Sequence, residues 1–314
     1  MQISVAICTW NRASLLRQTL EQFRQLHVPA HVTLDLIVVD NNSTDSTKHV
    51  VNEFVGALPI RYEFEREPGL SPARNKALDV TRAELLLFTD DDVLVAPNWL
   101  AACVAAYEQY PDAGAFGGPI FPWFPVQPDP VLSAAFPMLA RGFCGTNYER
   151  TLGPLDEELS PIGANMAFRV AAVGDLRFDP RHGPKEAEHR GGGDELDFIE
   201  RLRQRGHQVI WVPDMVLRHY VDPSRMTLEY LRMNTEGHGA FLVRRNGVGT
   251  APLVLGAPRW AWKRAAAQLV RYYVLRAGRR RRDAFLALHD YFLVSGMIKQ
   301  SREQARVQAN SPVA

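Results

Sequence analysis

The chain has 314 residues, of which 46% are hydrophobic and 23% are charged, ordinary values for a globular protein of one large or two smaller domains. The net charge of +1 excludes the strong basic excess of a nucleic-acid-binding protein. Three cysteines, Cys8, Cys103 and Cys144, are far apart and odd in number, so they argue against a disulfide framework and predict a reducing compartment.

Neither a leader peptide nor a membrane span is predicted. The first strand-like run begins almost at Met1, without a basic leader, and no apolar run reaches the roughly 18 residues that a transmembrane helix needs. We therefore expect a cytoplasmic protein, either soluble or peripheral on the inner face of the cell membrane.

Strand-like and helical patterns alternate in the first half. Short runs rich in apolar residues predict strands at residues 3–8, 34–39, 60–64 and 85–89, of which 34–39 and 85–89 are expected to be buried. Helices are predicted between and after them, at residues 12–26, 46–55, 71–80 and 98–110. Repeated β-α units of this length predict an α/β fold with a mostly parallel central sheet, flanked by helices. Ligands of such sheets bind outside the carboxyl ends of the strands.

The second half is less regular. Strands are predicted at residues 114–120, 165–170 and 207–212, and helices at 194–204 and from 224 onward, with a break near 247–258. Proline and aromatic residues predict a loop at 121–130, and charged residues with glycines predict a mobile segment at 179–193.

Three consecutive aspartates, Asp90, Asp91 and Asp92, follow the fourth predicted strand. Adjacent like charges are costly unless a positive group lies among them, and a divalent cation is the simplest partner for carboxylate oxygens. A phosphorylated substrate would then be expected. The alternative is a solvated turn, in which Asp is common.

Polar residues follow the other strands as well, in segments 9–12, 40–45 and 69–75. Asp40 offers an acceptor for the ring N–H of a nucleotide base, and Arg74 offers a planar fork for base or phosphate oxygens. An Asx-type turn with a helix cap at Ser43 or Asp45 is the alternative for the second segment.

Together and in this order, these segments and the three aspartates resemble the nucleotide-sugar-binding half of family-2 glycosyltransferases, which have the Rossmann-like GT-A fold. The resemblance covers roughly residues 3–220. It implies an inverting, metal-dependent transfer of a sugar from a nucleotide sugar, with a UDP-sugar expected, to a hydroxyl of a glycan or lipid-linked acceptor. Cell-surface polysaccharide or glycolipid synthesis is the expected setting.

The resemblance also implies roles for individual residues. Donor contacts are expected from Thr9, Asn11, Arg12, Asp40, Asn42, Arg74, Asp90, Asp91, Gly163 and Asn165. The ligands of Mn²⁺ or Mg²⁺ are expected to be Asp92, Asp90 and His219. A run of three acids permits a one-residue shift, which leaves the role of Asp91 open. Arg12 as a surface residue and His219 as a packed histidine remain alternatives.

Asp194 and Glu195 begin a predicted helix and resemble the family's Gly-Glu-Asp segment, which carries the catalytic base. The two acids stand in reversed order here. By position Glu195 falls on the base, and the reversal leaves Asp194 as the alternative. Acids that merely complement the helix dipole are the simpler interpretation of the same pattern. The glycine-rich stretch 179–193 is expected to close over bound donor and exclude water.

We therefore predict a GT-A domain at residues 1–222, with a nucleotide-binding half at 1–112 and an acceptor and catalytic half at 113–222. A helical C-terminal extension follows at 223–314. Residues 259–306 carry twelve Lys or Arg against three acids, together with aromatic residues. This composition predicts contact with an anionic membrane surface, and a solvated helical pair is the alternative.

Two other classes of protein share part of the pattern. A sugar nucleotidyltransferase would show a glycine-rich phosphate loop after the first strand, but residues 8–11 contain no glycine. A non-catalytic sugar-binding protein of GT-A type need not retain acids at every expected position, as this chain does.

Overall fold

The computed structural model describes residues 1–130, 132, 145–180 and 193–310, and this part of the chain forms two compact units. The first comprises residues 1–123, 145–180 and 193–220. The second comprises residues 124–130, 132 and 221–310. The assignment of catalysis to residues 1–222 and of a separate role to residues 223–314 stays a prediction.

The first unit contains a large sheet, a small sheet and helices. The large sheet has eight strands: β1 (Gln2–Thr9), β2 (Thr33–Asp40), β3 (Ile60–Phe64), β4 (Leu85–Asp90), β6 (Ala113–Gly117), β8 (Gly153–Pro154), β9 (Asn165–Arg169) and β10 (Gln208–Trp211). The small sheet has three: β5 (Val93–Val95), β7 (Ile120–Trp123) and β11 (Leu217–Tyr220). The helices are α1 (Ala13–Phe23), α2 (Thr47–Glu53), α3 (Leu70–Val80), α4 (Trp99–Gln109), α5 (Val170–Val173) and α6 (Asp194–Gln204).

The large sheet has the strand order β3-β2-β1-β4-β9-β6-β10-β8. Strands β3, β2, β1 and β4 are parallel neighbours, and so are β6 and β10. Strand β9 is antiparallel to both β4 and β6, and β8 is antiparallel to β10. Six strands therefore run in one direction and two against it, which confirms the predicted α/β fold with a mostly parallel sheet.

Both faces of this sheet are buried. Ile3, Val5 and Ile7 of β1 belong to one apolar cluster, which includes residues of α1 and α4. Ala6 points to the opposite cluster, which includes residues of α3 and α6. A sheet covered on both faces needs continuous apolar strands, because alternate residues meet different helices. This explains why the strands were visible in the sequence as uninterrupted runs.

Strand pairing aligns the polar residues at one edge of the sheet. In the β1–β2 register Thr9 lies opposite Asp40, and in the β1–β4 register Cys8 lies opposite Asp90. The small sheet adds a connection, because His219 of β11 pairs with Val93 of β5. A segment distant in sequence is thereby brought beside the three aspartates.

The predicted loop at residues 121–130 begins later than expected, because residues 120–123 form β7 and pair with β11. That pairing joins segments almost a hundred residues apart, so local composition does not encode it. The predicted mobile segment falls largely on residues 181–192, which lie outside the described residues. Cys8 and Cys103 are free thiols, as expected, and Cys144 lies outside the described part.

The second unit is helical, as predicted. Its elements are a 3-10 turn (Pro223–Met226), α7 (Leu228–Asn246), α8 (Arg259–Ala277) and α9 (Arg281–Asn310), with a hairpin of β12 (Leu253–Val254) and β13 (Ala257–Pro258) at the predicted break. Gly296 lets α9 approach α7 closely, since a Cβ there would lie 1.9 Å from the carbonyl oxygen of Glu236. Among the residues described, none of the helices combines the length and apolarity required to cross a membrane.

Candidate active site

An acidic group lies at the carboxyl end of β4. Ligand atoms of Asp90, Asp92 and His219 lie within 4.8 Å of one another. His219 Nε2 is 3.3 Å from Asp90 Oδ2 and 3.2 Å from Asp92 Oδ1. Asp92 and His219 are buried, and Asp92 Oδ1 makes no hydrogen bond. The structure thus brings together the three residues predicted as metal ligands, and one buried carboxylate oxygen of this group makes no hydrogen bond.

The orientation of His219 suits a ligand. Its Nδ1 lies 2.9 Å from the carbonyl oxygen of Tyr220, which accepts a hydrogen bond when Nδ1 carries the proton. In that tautomer Nε2 presents its lone pair to the carboxylates. A backbone carbonyl that fixes the ring in this way is the usual second partner of metal-binding histidines.

Asp91 points away from this group. Its Oδ2 accepts a hydrogen bond of 2.7 Å from the hydroxyl of Thr9, and its Oδ1 accepts one of 3.2 Å from Arg12 Nη1. Arg12 Nη1 also lies 2.7 Å from Asp92 Oδ2. Burial, and then the charge of Asp92, raise the pKa of Asp91 to about 7. These contacts favour Asp90 and Asp92 over Asp91 as metal ligands, which stays a prediction, and Arg12 is an ion-pair partner of two aspartates rather than a simple surface residue.

Charge at the site fits a divalent cation. Ionised Asp90 and Asp92 contribute −2, Asp91 adds a partial negative charge near neutrality because its pKa is about 7, and Arg12 contributes +1, so with a neutral His219 the group carries between −1 and −2. Carboxylate oxygens and one imidazole nitrogen form a donor set suited to Mn²⁺, and the oxygens also suit Mg²⁺. The buried, unbonded Asp92 Oδ1 is the observation that most favours this fit, since such an atom is costly without a partner.

Asp40 is held at the end of β2. Its Oδ1 accepts a hydrogen bond of 2.9 Å from the backbone N–H of Ser43, and its Oδ2 accepts one of 2.7 Å from the hydroxyl of Tyr62. Burial, and then the bond to Asp40, raise the pKa of Tyr62. The predicted turn around Asp40 is thus present. It leaves acceptor capacity for a ligand, because an ionised carboxylate has about four lone-pair positions.

Two asparagines shape the adjoining loops. Asn11 and Asn42 have positive φ angles of 52° and 66°, a left-handed conformation that Asn tolerates better than most residues. Asn11 Oδ1 accepts a hydrogen bond of 2.7 Å from the backbone N–H of Thr44, which joins the loops after β1 and β2. Asn42 is exposed. The amide oxygen of Asn11 is therefore already in use, whereas Asn42 is accessible.

Arg74 lies beside the two candidate catalytic acids. Its Nη1 forms a buried ion pair of 2.7 Å with Asp194 Oδ2 and lies 3.9 Å from Glu195 Oε2. The hydroxyl of Ser71 donates to the same Asp194 oxygen at 3.2 Å. In the structure the buried guanidinium therefore holds the N-terminus of α6. A contact of Arg74 with base or phosphate stays a prediction.

Exposure and charge distinguish the two candidate bases. The Asp194 side chain is 1% exposed and that of Glu195 is 17% exposed, so Glu195 is the more accessible of the two carboxylates. Burial, and then the charge of Asp194, raise the pKa of Glu195 to about 7. Burial acts to raise the pKa of Asp194 as well, but the charge of Arg74 and the hydrogen bonds with Glu195, Arg74 and Ser71 together outweigh it and lower the pKa of that carboxyl. A carboxylate titrating near neutrality suits a general base.

Gly163 and Asn165 make close contacts within the protein. A Cβ at Gly163 would lie 2.1 Å from Arg74 Nη2, so the glycine makes room for the guanidinium. Asn165 is fully buried; its Oδ1 accepts from Trp99 Nε1 at 2.8 Å, and its Nδ2 donates to the carbonyl oxygens of Pro119 and Met215. The side-chain amide of Asn165 thus bonds to three protein groups, and the predicted donor contact of Asn165 stays a prediction.

Gly163→Ala should destabilise the protein by about 1–3 kcal/mol, the usual cost of overpacking a filled site. Arg74 cannot withdraw easily, because Asp194 holds its guanidinium at 2.7 Å. The midpoint of thermal unfolding measures the effect. The matched control is Gly237→Ala on α7, where no atom lies within 4 Å of the added Cβ and a small gain is expected. Equal midpoints for Gly163→Ala and the wild type would contradict the crowding argument.

Sequence reasoning missed Tyr62 and Asn41. Tyr62 reaches Asp40 because β3 pairs in parallel with β2, a register that local sequence does not specify. The side chain of Asn41 bonds to the carbonyl oxygen of Glu67 at 2.6 Å and to the N–H of Gly69 at 2.7 Å, fixing the loop before α3. The position of Asn41 directly after Asp40 was the sequence signal that could have identified it.

Comparison with known proteins gives the family. The sequence pattern of glycosyl transferase family 2 matches residues 4–172, more than half of the chain, and the chain belongs to this family. Among curated relatives, the succinoglycan biosynthesis protein ExoM of Rhizobium meliloti is 24% identical over 255 residues, covering 78% of this chain and 76% of ExoM.

Solved structures agree on the fold. The mannosyltransferase PcManGT from Pyrobaculum calidifontis, in complex with GDP-Man and Mn²⁺, has a TM-score of 0.61 and 20% identity, covering 96% of this chain and 87% of its own. S. aureus TarS 1-349 in complex with UDP has a TM-score of 0.55 and 18% identity, covering 100% of this chain and 93% of its own. The protein is thus a family-2 glycosyltransferase of GT-A fold.

Proposed function

We propose that this protein is an inverting glycosyltransferase that uses a divalent cation and a UDP-sugar to glycosylate a hydroxyl of a glycan or lipid-linked acceptor. The observation that carries the proposal is the group formed by Asp90, Asp92 and His219 at the carboxyl end of β4. In a family-2 chain, such a group is suited to a cation that binds a nucleoside diphosphate.

Asp92, Asp90 and His219 would hold the cation, Mn²⁺ or Mg²⁺. When bound, the ion supplies positive charge that stabilises the diphosphate leaving group. Arg12 neutralises Asp91 and Asp92 and so keeps the acidic loop compact. Asp40, with Asn42 exposed beside it, supplies acceptors for the nucleoside.

Glu195 is proposed as the general base. Its carboxylate removes the proton from the acceptor hydroxyl while that oxygen forms a bond to the anomeric carbon and the bond from this carbon to the diphosphate breaks. Attack from the face opposite the leaving group inverts the anomeric configuration. Asp194 and Arg74 position Glu195 through their buried ion pair.

The donor proposal rests on the similar structures. TarS was solved in complex with UDP, and the mannosyltransferase was solved in complex with GDP-Man. We propose UDP as the carrier and retain GDP as the alternative. The relationship to ExoM supports a role in cell-surface polysaccharide synthesis. A peripheral position on the cytoplasmic face of the membrane would place the enzyme near a lipid-linked acceptor.

A donor screen tests the proposal. Purified protein with Mn²⁺ is expected to hydrolyse at least one UDP-sugar slowly and to release UDP, and chelation of the metal should abolish the release. GDP-sugars form the matched comparison. A sugar nucleotidyltransferase would instead release pyrophosphate from a nucleoside triphosphate and a sugar phosphate. Binding of UDP-sugar without turnover, even with a range of glycan acceptors, would favour a non-catalytic protein.

A further inference from the structure

Helix α8 is apolar on two opposite sides. Ala261 and Ala265 are buried in a cluster shared with α9. On the outer side, Trp260, Val270 and Val274 expose 41%, 63% and 65% of their surface. A surface helix normally presents polar residues to water, so an apolar outer side indicates an interaction surface.

Exposed apolar residues form a stripe along this side of the helix, here called the outer stripe, which Lys263 interrupts. The outer stripe consists of five exposed residues: Trp260, Ala267, Val270, Val274 and Ala277. Together with the exposed Lys263, they recur at intervals of three and four residues. This spacing places side chains on one side of a helix. The outer stripe is about 26 Å long at the usual rise per residue.

An exposed aliphatic hairpin precedes the helix. Leu253, Val254 and Leu255 expose 52%, 44% and 76% of their surface. Leu255 and Gly256 have φ angles of 50° and 76°, the signs required by a tight type I′ turn between β12 and β13. Trp262 Nε1 donates a hydrogen bond of 2.8 Å to the carbonyl oxygen of Val254, which fixes the hairpin to α8.

In the chain segment that contains the hairpin and α8, all charged side chains are positive. Residues 247–282 contain nine Lys or Arg and no Asp or Glu. Arg264 and Arg280 pair with Asp290 and Asp283 of α9. The exposed cationic residues also include Lys263, Arg271, Arg276, Arg279, Arg281 and Arg282.

We infer that the outer stripe and the hairpin tip lie on an anionic lipid bilayer. The valines, leucines and Trp260 would enter the boundary between headgroups and acyl chains, and the arginines would contact lipid phosphates. A second copy of the same surface would bring two acid-free basic segments together, which is unfavourable. A nucleic acid would use the charges but leave the aliphatic residues in water. The inference does not depend on transferase activity.

Flotation with lipid vesicles tests the inference. The full chain is expected to float with vesicles that contain phosphatidylglycerol and to float poorly with phosphatidylcholine alone. The double variant Val270→Glu/Val274→Glu should lose about tenfold in bound fraction, since two apolar contacts are replaced by like charges to the lipid. The matched control is Val55→Glu in the first unit, where the side chain is 62% exposed. It should float like the wild type.

A second variant separates charge from apolar contact. Arg281→Glu/Arg282→Glu leaves the outer stripe intact and should remove the preference for anionic vesicles. Thermal unfolding midpoints near that of the wild type would show that both double variants fold. Flotation of Val270→Glu/Val274→Glu at the wild-type level would overturn the inference. Conversion of a dimer to a monomer by that variant, with flotation unchanged, would assign the surface to self-association instead.

Discussion

Glu195→Gln is expected to lower kcat by about 10²- to 10⁴-fold, the range that a positioned general base contributes. The amide keeps the size of the side chain but cannot accept a proton from the acceptor hydroxyl. Donor affinity should change little, because Glu195 is not among the residues proposed to bind the nucleotide or the metal. Steady-state kinetics and calorimetric titration with UDP measure the two effects separately.

The matched control is Glu200→Gln, the same change at an exposed position of helix α6. It should retain wild-type kcat. If Glu195→Gln also retains kcat within a factor of about three, catalysis by this carboxylate is excluded.

The pH dependence of kcat in the wild type tests the proposed role of Glu195 in a second way. Since its pKa is raised to about 7, the carboxylate is increasingly protonated, and hence inactive as a base, as the pH falls below neutrality. We expect kcat to fall on the acid side with an apparent pKa near that value. An acid limb at the ordinary pKa of a solvated glutamate would show that burial and Asp194 do not act on Glu195 in the working enzyme.

Asp92→Ala is expected to reduce kcat/KM by at least about 100-fold, which corresponds to roughly 3 kcal/mol of lost transition-state stabilisation. The variant removes the buried carboxylate whose Oδ1 lies 3.2 Å from His219 Nε2. Binding of Mn²⁺ should weaken in parallel. The fold should persist, because Arg12 retains its contact with Asp91 and one charge is removed from a cluster of like charges.

Asp112→Ala serves as the control for Asp92→Ala, since Asp112 is exposed and lies outside the acidic group. It should match the wild type in activity and in metal affinity. Unchanged sugar transfer and manganese affinity in Asp92→Ala would place the active centre elsewhere.

The sequence was sufficient to predict features encoded locally. Strands β1 and β4 are visible because both faces of the sheet are covered there, which makes these strands largely apolar along their length. That Asp40 and Asp90 lie at the same edge of the sheet was predictable, because parallel strands bring their carboxyl ends to one edge. The second unit was predicted as helical from residue 224 onward, with the break near residues 247–258 where the structure has the hairpin.

Features that depend on distant contacts were not predictable. Arg74 was interpreted as a donor ligand, and its ion pair with Asp194, 120 positions away, was not predicted. Asn165 was expected near the donor, and its bonds to Trp99 and to the carbonyl oxygens of Pro119 and Met215 were not predicted. Polar residue types alone do not show whether a side chain meets a ligand or another part of the chain.

The local sequence pattern also could not predict the orientations of the three aspartate side chains. Asp90 ends β4, while Asp91 and Asp92 lie in the turn that follows. The hydroxyl of Thr9 draws Asp91 to one side, and the β5–β11 pairing brings His219 to the other. Both contacts come from segments remote in sequence, so the sequence left the metal-binding pair within the run unresolved.

Calorimetric titration of the wild-type chain with UDP, in the presence of Mn²⁺ and again with a metal chelator, tests most directly whether a cation at the end of β4 binds the diphosphate. We predict tight binding with Mn²⁺, at least tenfold weaker binding without it, and loss of this difference in Asp92→Ala. Equal UDP affinity with and without the metal, or full retention of the metal effect in Asp92→Ala, would contradict the account.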